Sequence, residues 1–381
     1  MTAASASAPI VVLHVFGRMN RGGAESRTME VMRRLDPRRH RLLFCALSGK
    51  TGEFDDEIRA LGGEVYYSRL GVRFPWRFVR LLRRVRPDVV HSHVHLASGF
   101  ILLLARIAGV RGRIAHFRST GDGRSDSPVR RGYRRAMRRL VGRNATRILA
   151  VSNAAMASAL GNTWTQDPRC RVIPNGVDIE TLRLATPYPK AELGLSQHQR
   201  IVLVVGRDNP AKNRGGALSI FAVLAAKTPD AMLLFVGADR SETRADLEAV
   251  AKGQDLADRV RFLGQRDDLP RLLATADLVL APSIREGSPG AILEAAALGV
   301  PVLASDIPSI EEVADEIPCV HTLPLTAADA VWVTKAVELL DQHAAGGDGA
   351  ASHLTRRYSL DGSVQAMTEE WDLLGRAGQP T

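Results

Sequence analysis

Residues 278–297 read LVLAPSIREGSPGAILEAAA, a stretch that contains a strand, a short loop and the start of a helix. The apolar run at its beginning is typical of a buried strand, and Pro289 followed by small and aliphatic residues is typical of a helix N-terminus. Two carboxylates, Glu286 and Glu294, stand on the loop and in the helix. A strand that passes through a short loop into a helix is the repeating element of a parallel sheet.

The same alternation of short β-branched runs and longer helical patterns covers the whole chain. The predicted strands are Ile10–Phe16, Arg41–Leu47, Val65–Tyr67, Asp88–His91, Arg113–Phe117, Arg147–Val151 and Arg171–Ile173, then Arg200–Val205, Met232–Val236, Val260–Leu263, Leu278–Ala281 and Val300–Ala304. This order predicts an α/β fold with two Rossmann-like, doubly wound parallel-sheet domains. We expect one domain over residues 1–185 and the other over residues 186–360, with a linker at about 178–196 and a flexible loop at 344–350.

Basic charge is concentrated in the first half of the chain. The 51 Lys and Arg and 41 Asp and Glu give a net charge of +10. Residues 1–190 hold 34 basic and 14 acidic side chains, and the remainder holds 17 and 27, so the two parts carry +20 and −10. Such a division indicates two domains with different ligands, one of them anionic.

A helix predicted at 129–143 supplies much of this basic charge. Its two faces separate apolar side chains (Val129, Tyr133, Ala136, Met137, Leu140 and Val141) from arginines (Arg130, Arg131, Arg134, Arg135, Arg138 and Arg139). Two interpretations are open: a solvated polar face on a core-packed helix, or a contact with anionic lipid or an anionic acceptor. Nucleic acid is not expected, because no aromatic side chains alternate with the arginines and no nucleic-acid motif is present.

Composition and apolar segments favour a cytoplasmic protein. Cys45, Cys170 and Cys319 lie far apart and form no CxxC pair, which fits a reducing compartment. The apolar run 10–16 is too short for a secretory signal, and the most apolar stretch, 96–110, contains an arginine and is too short for a membrane span. The basic first half leaves a peripheral position on the inner face of the membrane open.

Two further loops follow predicted strands, at the edge where parallel sheets bind ligands. Residues 20–25 read NRGGAE, and Gly22 and Gly23 allow a phosphate to approach backbone N–H groups at a helix N-terminus. Residues 205–213 read VGRDNPAKN, and Arg207 and Lys212 can hold a diphosphate between them. Taken alone, each loop also fits a tight turn or a pair of solvated cations.

Taken together, these motifs resemble family 4 of the retaining glycosyltransferases, which have the GT-B fold. Glu286 and Glu294 within EGSPGAILEAAALGVPV are similar to that family's paired-glutamate signature, and GRDNPAK resembles its Arg-x4-Lys motif. NRGGAE resembles its N-terminal glycine loop, and VIPNGVD at 172–178 and FLGQRDDL at 262–269 also match. The resemblance runs from about residue 11 to 375, with the motifs in the expected order.

The resemblance implies two Rossmann-like domains that face each other across a cleft. The N-terminal domain binds the acceptor and the C-terminal domain binds a nucleotide sugar, while a last helix at about 361–381 packs back on the first domain. The implied donor-binding residues are Arg207 and Lys212 at the diphosphate, Glu294 at the ribose hydroxyls, Glu286 at the sugar hydroxyls and Arg266 beside the base. Backbone N–H groups of the loop Gly287, Ser288, Pro289 and Gly290 face sugar and phosphate, and Gly22 and Gly23 close on the donor.

The implied reaction is retaining transfer of a hexose or N-acetylhexosamine to a glycan, a lipid-linked acceptor or a small molecule. UDP is the commonest donor nucleotide in the family. No metal and no other cofactor is expected, because no two aspartates stand at i and i+2 in this chain. The departing phosphate takes the acceptor's proton in front-face attack, so no protein nucleophile is assigned.

Three residues are expected at the reacting centre: Glu286, His93 and Arg118. The family often has a histidine after the strand predicted at 113–117, and here Arg118 stands at that point, with His116 two residues earlier. His93, which follows the strand 88–91, is the alternative on the acceptor side. Whether the arginine or a histidine serves the reacting carbon stays open at the level of sequence.

Two other functions remain as alternatives. One is a non-transferring GT-B enzyme, such as a nucleotide-sugar 2-epimerase, and the other is a non-catalytic basic binding module. Release of UDP only in the presence of an acceptor separates a transferase from the first alternative, and turnover of any donor excludes the second.

Overall fold

A computed structural model describes residues 8–121, 126–239, 241–344, 354 and 356–376. The chain divides into two compact units, unit 1 (residues 1–176 and 360–381) and unit 2 (residues 177–359). The sequence-based boundary at 185 lies farther along the chain, since Val177 and Leu182 are buried in the core of unit 2. Residues 345–350 of the expected loop and 377–381 of the expected last helix lie outside the described residues.

Both units alternate strands and helices. The strands are β1 Ile10–Phe16, β2 His40–Ala46, β3 Glu64–Tyr67, β4 Val89–Ser92, β5 Gly112–Phe117, β6 Arg147–Ala150, β7 Cys170–Val172, β8 Arg200–Val205, β9 Ala231–Val236, β10 Val260–Phe262, β11 Leu278–Ala281, β12 Val302–Ser305 and β13 Val320–Leu323. The helices are α1 Gly23–Arg34, α2 Asp55–Ala60, α3 Phe74–Val85, α4 Ser98–Ile107, α5 Pro128–Asn144, α6 Asn153–Leu160, α7 Ile179–Arg183, α8 Arg214–Lys227, α9 Ser241–Gly253, α10 Leu269–Thr275, α11 Gly290–Ala297, α12 Pro308–Ala314, α13 Asp329–Ala344 and α14 Leu360–Arg376.

Each unit is built on one parallel sheet. Unit 1 has seven strands in the order β3-β2-β1-β4-β5-β6-β7, and unit 2 has six in the order β10-β9-β8-β11-β12-β13. In both, the chain begins in the middle of the sheet and moves first to one side and then to the other, as in doubly wound Rossmann sheets. The predicted α/β fold with two Rossmann-like domains is confirmed. The sequence prediction missed β13, a short edge strand whose residues are only partly buried after the first.

Helices cover both faces of the unit 1 sheet. In β1, Leu13 and Val15 point to a core shared with α3, α4, α5 and α6, while Val12 and Phe16 point to a core shared with α1, α2 and α14. This alternation follows from the two-residue period of a strand. Among the helices that the structure describes, none is long and apolar enough to cross a bilayer.

The last helix, α14, belongs to unit 1 although it follows the whole of unit 2. Trp371 is fully buried between α14 and the sheet. Beside it, the buried carboxylate of Glu370 accepts hydrogen bonds from Arg147 on β6 and Arg171 on β7, each at 2.9 Å. Because a buried carboxylate needs such partners, Glu370 fixes the position of α14 across the two strands.

The Arg-rich helix α5 is packed over only part of its length. Ser127 caps its N-terminus by accepting from Arg130 N–H at 3.2 Å. The helix packs against α4 from Met137 onward. Only glycine fits at position 99 of α4, because a Cβ there would stand 2.5 Å from Met137 O. Val129 and Tyr133, expected on the packed apolar face, are exposed, because the first turns of α5 extend past the start of α4.

We expect the buried carboxylate of Glu370 to contribute far more to stability than its neighbour on the same helix. Glu370→Ala removes a buried carboxylate that joins two strands and leaves the partly buried Arg147 without its ion-pair partner, so unit 1 should lose about 3 kcal/mol and melt several degrees lower. Glu369→Ala is the matched control, since Glu369 is half-exposed and pairs with Arg171 at 3.2 Å, an interaction worth at most about 1 kcal/mol. Thermal unfolding of the two variants tests this, and equal melting temperatures would contradict it.

Candidate functional site

Two loops of unit 2 meet at the carboxyl ends of β8 and β11, which are neighbours in the sheet. Ile284 N–H donates to Ala211 O at 2.8 Å, so the loop after β11 is hydrogen-bonded to the loop after β8. Parallel pairing therefore brings together two segments that lie more than seventy positions apart in the sequence. The paired-glutamate loop and the Arg-x4-Lys loop form one site at this edge.

Lys212 and Glu286 are in direct contact within this site. The Lys212 ammonium lies 2.6 Å from Glu286 Oε1, and Ser283 Oγ donates to the same carboxylate oxygen at 2.9 Å. Ser309 Oγ donates to the Glu286 backbone carbonyl at 2.9 Å. Arg207, on the same loop as Lys212, is exposed, and among the described residues it has no ion-pair partner.

The Lys212 side chain lies over a glycine whose backbone no other residue adopts easily. Gly206 has φ of +144°, and a Cβ there would stand 2.8 Å from Lys212 Cε. Gly237, at the end of β9, has φ of +133° and approaches Gly206 so closely that a Cβ would lie 2.4 Å from its carbonyl carbon. Glycine at both positions lets the segments after β8 and β9 approach each other this closely, and it leaves room for the Lys212 side chain beside Gly206.

A buried arginine that does not stand out in the sequence is hydrogen-bonded to both of these glycines. Arg214, the first residue of α8, is 4% exposed and pairs with Asp239. Its guanidinium also donates to Gly206 O at 2.6 Å and to Gly237 O at 3.4 Å. In sequence, Arg214 looks like one more basic residue of a basic protein; only its burial distinguishes it.

The second glutamate and the glycine-serine-proline turn lie at the start of α11. Glu294 is partly buried in the second turn of this helix. The expected row of donors from Gly287 to Gly290 is interrupted, because Pro289 has no N–H and Gly290 N–H donates to Ser288 O at 3.0 Å. Fewer backbone donors face outward here than the sequence analysis expected.

Arg266 belongs to a separate cluster at the loop between β10 and α10. Its guanidinium donates to both oxygens of Asp268, at 2.8 and 2.6 Å, and to Tyr188 Oη at 3.1 Å. The Arg266 hydrogen bonds hold the pKa of the Asp268 carboxyl well below its usual range. Arg266 is thus already engaged by protein groups, and the described contacts do not bring it to Lys212 or Glu286.

In unit 1, the glycine loop precedes α1 at the carboxyl end of β1. Gly22 is the N-cap of α1 with an extended backbone, and as a glycine it supplies no side-chain cap hydrogen bond of its own. Arg21 N–H donates to Glu53 Oε2 at 2.9 Å, which fixes the loop against the segment before α2. The structure therefore places Gly22 and Gly23 at a helix N-terminus, as predicted.

Four histidines form a layer on one face of the unit 1 sheet. His14 on β1, His91 on β4 and His116 on β5 are buried, and His93 just after β4 is partly buried. The rings stack, with centroids 4.3 Å apart for His91 and His93 and 4.9 Å apart for His14 and His91. His93 and His116 stand out in the sequence, but the layer as a whole does not, because the register between strands decides which residues meet.

Two groups that can only donate hydrogen bonds determine the tautomers of these rings. Trp371 Nε1–H donates to His91 Nδ1 at 3.1 Å, so the ring proton of His91 is on Nε2, which lies 3.0 Å from His116 Nδ1. Arg118 Nε–H donates to His93 Nδ1 at 3.4 Å, so the proton of His93 is on Nε2, which lies 2.9 Å from His14 Nδ1. The result is two donor chains in which all four rings are neutral.

These donor chains bear on whether the layer can hold a metal ion. Ring nitrogens of His14, His91 and His93 lie within 4.8 Å of one another, a spacing that metal sites also have. A neutral imidazole has one lone pair, however, and in all four rings that lone pair accepts a hydrogen bond at Nδ1. A metal would have to break these bonds beside the cationic Arg118, so the arrangement does not favour one.

Arg118 and His93 are in contact at one edge of this layer. Besides His93, the Arg118 guanidinium donates to Asn175 Oδ1 at 2.8 Å and to Thr28 Oγ1 on α1 at 3.3 Å. Burial, and to a lesser extent the neighbouring His91 and Arg118, lowers the pKa of His93 well below its usual value. A cationic neighbour makes His93 a poor general base.

Comparisons with known proteins agree with this arrangement. Residues 21–181 match Glycosyltransferase Family 4, and residues 189–317 match Glycosyl transferases group 1. The chain is 32% identical over 307 residues to the capsular polysaccharide biosynthesis glycosyltransferase CapH of Staphylococcus aureus, covering 80% of this chain and 83% of CapH. It is 28% identical over 287 residues to the UDP-Gal:alpha-D-GlcNAc-diphosphoundecaprenol alpha-1,3-galactosyltransferase of Escherichia coli, covering 70% and 71%.

The fold comparison gives the same class. Anabaena HepE in complex with UDP-glucose matches with a TM-score of 0.75 at 22% sequence identity, covering 94% of this chain and 98% of HepE. With two Rossmann-like units, the paired-glutamate loop beside Lys212 and relatives of this kind, the chain belongs to family 4 of the glycosyltransferases, with the GT-B fold. The resemblance seen in the sequence is confirmed.

The histidine layer should make unit 1 sensitive to acid. Burial, then the positive charge of Arg118, lowers the pKa of His14 to about 3, and burial lowers those of His91, His93 and His116 well below their usual value. Below about pH 6.5 these histidines bind protons in the unfolded chain but stay neutral in the folded unit, so the free energy of unfolding falls as pH falls. Each histidine lowers the free energy of unfolding by about 1.4 kcal/mol per pH unit, so the four together lower it by about 5 kcal/mol per pH unit.

We therefore expect unit 1 to lose its hydrogen-exchange protection between about pH 4 and 5.5, before unit 2 does. Exchange measured by mass spectrometry on peptides from each unit gives the two transitions separately. Unit 2 is the internal reference, since His321 is its one described histidine with a lowered pKa. Loss of protection in both units at the same pH would show that the histidine layer does not dominate the acid response.

Proposed function

We propose that the protein is a retaining glycosyltransferase that moves a hexose or N-acetylhexosamine from a UDP-sugar to a saccharide acceptor. The contact between Lys212 and Glu286 carries this proposal. A cation that can bind the diphosphate and a carboxylate that can accept hydrogen bonds from sugar hydroxyls lie side by side, as a nucleotide sugar requires. The UDP-glucose bound to HepE and the UDP-Gal used by the E. coli relative support UDP as the nucleotide.

The proposed reaction breaks the bond between the anomeric carbon and the diphosphate oxygen and forms a bond to the acceptor oxygen on the same face of the sugar. The acceptor's proton passes to the departing diphosphate. Charge that develops on the diphosphate is stabilised by Arg207 and Lys212 rather than by a metal ion, in keeping with the lack of Asp-x-Asp in the sequence. Glu286 orients the sugar, and Glu294 holds the ribose.

The acceptor proposed for this enzyme is a lipid-linked or polymeric saccharide. CapH is described as a capsular polysaccharide biosynthesis enzyme, and the E. coli relative acts on a sugar linked to diphosphoundecaprenol. Such acceptors reside at a membrane surface. A peripheral position on the membrane therefore accompanies the proposed activity.

Exposed arginines and exposed apolar side chains of unit 1 support this membrane contact. The projecting part of α5 carries Val129 and Tyr133 among its arginines. On the same face of the sheet, the segment before α3 and the first turn of α3 expose Leu70, Val72 and Trp76, which we call the α3 tip; Val72 is 100% and Trp76 64% exposed. Parallel strands place the N-termini of α3 and α5 at the same sheet edge, so both apolar ends point the same way.

The donor site gives the first functional prediction. Lys212→Ala removes a charge-assisted contact of roughly 1.5–3 kcal/mol, so UDP affinity and donor turnover should fall about tenfold or more. Glu286→Gln should lower transfer but not UDP affinity, because it removes the sugar-facing charge and frees Lys212. Calorimetric titration with UDP and an assay of UDP release, with Lys227→Ala on exposed α8 surface as control, measure both.

Three results would contradict the proposal. Normal UDP affinity in Lys212→Ala would remove the diphosphate role of this loop. UDP release at full rate without any acceptor would favour the non-transferring alternative. Loss of activity in excess EDTA, with recovery on adding Mn²⁺ or Mg²⁺, would exclude the metal-independent mechanism.

The membrane contact gives the second functional prediction. Trp76 is the most exposed described tryptophan, since Trp332 and Trp371 are buried and Trp164 partly buried, so its emission should shift to the blue on vesicles rich in phosphatidylglycerol. Each arginine near an anionic surface contributes about 1 kcal/mol, so replacing Arg131, Arg135 and Arg139 by Gln should weaken binding about a hundredfold. Arg138 is left in place because it donates to Ala159 O at 2.6 Å within the fold.

Vesicle co-sedimentation and tryptophan emission provide the test. Trp76→Ser should abolish the spectral shift and weaken sedimentation. Ile107→Ser is the control and should change neither, because Ile107 is exposed at the C-terminal end of α4, away from the sheet edge where α3 and α5 begin. Binding should also fall as salt rises, because exposed charges are screened beyond about 8 Å at physiological ionic strength. Equal, negligible sedimentation with neutral and anionic vesicles would remove the membrane contact and favour a soluble acceptor.

A further inference from the structure

Arg118 is a partly buried cation without a carboxylate partner. Its guanidinium makes hydrogen bonds to three neutral acceptors, His93 Nδ1, Asn175 Oδ1 and Thr28 Oγ1. Among the described residues, no carboxylate oxygen lies within 4.0 Å of the Arg118 guanidinium, the distance that defines an ion pair. Burial lowers the pKa of Arg118 to about 10, and the more distant negative charge of Glu25 opposes this shift only in part.

Arg118 differs from the other partly buried arginines in the kind of acceptor it has, because Arg113 and Arg259 donate to backbone carbonyl oxygens and others pair with a carboxylate. Arg27, which lines the same small cavity as Arg118, Asn175 and Gly176, pairs with Glu30 at 2.8 Å. Arg214 in unit 2 pairs with Asp239. A charge removed from water and left without a counter-ion is costly, and proteins keep such a charge where a ligand supplies the opposite one.

The contacts of Arg118 leave one N–H on each terminal guanidinium nitrogen unused. Nε–H goes to His93, and one N–H from each terminal nitrogen goes to Asn175 and Thr28. The remaining pair of donors suits two oxygens of one anion, and a phosphoryl group offers such a pair. Arg27 lines the same cavity but is paired with Glu30, so the preference for a phosphoryl group over a carboxylate follows from the phosphoryl groups that glycosyl-transfer substrates carry.

The histidine layer explains how the guanidinium stays in one orientation. His93 presents a lone pair to Arg118 only while its own proton is on Nε2, where His14 Nδ1 accepts it at 2.9 Å. If His14 could not accept, His93 could move its proton to Nδ1 and turn an N–H toward the guanidinium. His14 is therefore coupled to Arg118 without touching it.

We propose that Arg118 is the phosphate-binding residue of unit 1, and that His93 and His14 are positioning residues that hold it ready for a phosphoryl group of a substrate. The inference rests on the proposed function in taking that group from a glycosyl-transfer substrate. The group belongs either to the donor diphosphate or to a phosphorylated acceptor. The chemistry recognised is the same in both cases, and the experiment below separates them.

Binding of inorganic phosphate to the full-length protein, measured by calorimetry at constant ionic strength, is the primary test. Arg118→Gln should lower phosphate affinity at least tenfold, while Arg38→Gln, at an exposed turn, should leave it unchanged. Lys212→Ala should not affect this phosphate site. Phosphate binding therefore remains measurable even if no sugar transfer is found, which keeps this inference separate from the proposed function.

The source of the phosphoryl group follows from a competition experiment. If UDP displaces phosphate from the Arg118 site, as judged by comparing wild type with Arg118→Gln, the donor supplies the group. If UDP and phosphate bind together, the group belongs to the acceptor. Equal phosphate affinity in wild type and Arg118→Gln would overturn the assignment.

The positioning role has its own readout in the imidazole tautomers. Long-range ¹H–¹⁵N spectra of histidine-labelled protein should show all four rings neutral with the proton on Nε2. His14→Phe should shift the His93 proton toward Nδ1 and weaken phosphate binding several-fold. His14→Asn, whose Oδ1 can accept in place of Nδ1, should restore both. Loss of phosphate binding in both variants, or in neither, would contradict the relay, and exchange protection of β1 shows whether each variant is folded.

Discussion

Parallel pairing of neighbouring strands is the constraint on which both halves of this enzyme depend. It brings the loops after β8 and β11 to one edge, where the hydrogen bond from Ile284 to Ala211 joins them and Lys212 reaches Glu286. It also places His14 beside His91 in the register of β1 and β4. In each unit the chemistry-bearing residues come from adjacent strands, and neither group could assemble on a single loop.

The sites of the two units differ in how they treat cationic side chains. The unit 2 site pairs two of its cations with carboxylates, Lys212 with Glu286 and Arg214 with Asp239. Unit 1 surrounds Arg118 with neutral acceptors and with rings that burial keeps from protonating. The first arrangement stabilises the unit without ligand; the second lowers its stability and keeps a charge available, a trade that functional sites commonly make.

Sequence patterns were sufficient for the parts of the structure that are local. The strand-loop-helix units and the glycine loop before α1 follow from short motifs whose residues lie close in the chain, whereas the contact between Lys212 and Glu286 needs the pairing of β8 with β11. The histidine layer does not follow from such motifs either, because it needs the register of three strands and a tryptophan 280 positions away. The exposed apolar end of α5 was missed for a related reason: helical periodicity predicts a face but not the length of the helix packed against it, and α4 has 10 residues to the 17 of α5.

Trp371 also determines when the first unit can be completed. Its indole N–H fixes the tautomer of His91, and Glu370 beside it joins β6 to β7, yet both lie on α14, which follows all of residues 177–359. Domains generally fold as they leave the ribosome, the N-terminal one first. Here the order is reversed: the second unit is synthesised whole while the first still lacks a helix, so a chain released early has a complete Lys212–Glu286 site and an incomplete histidine layer.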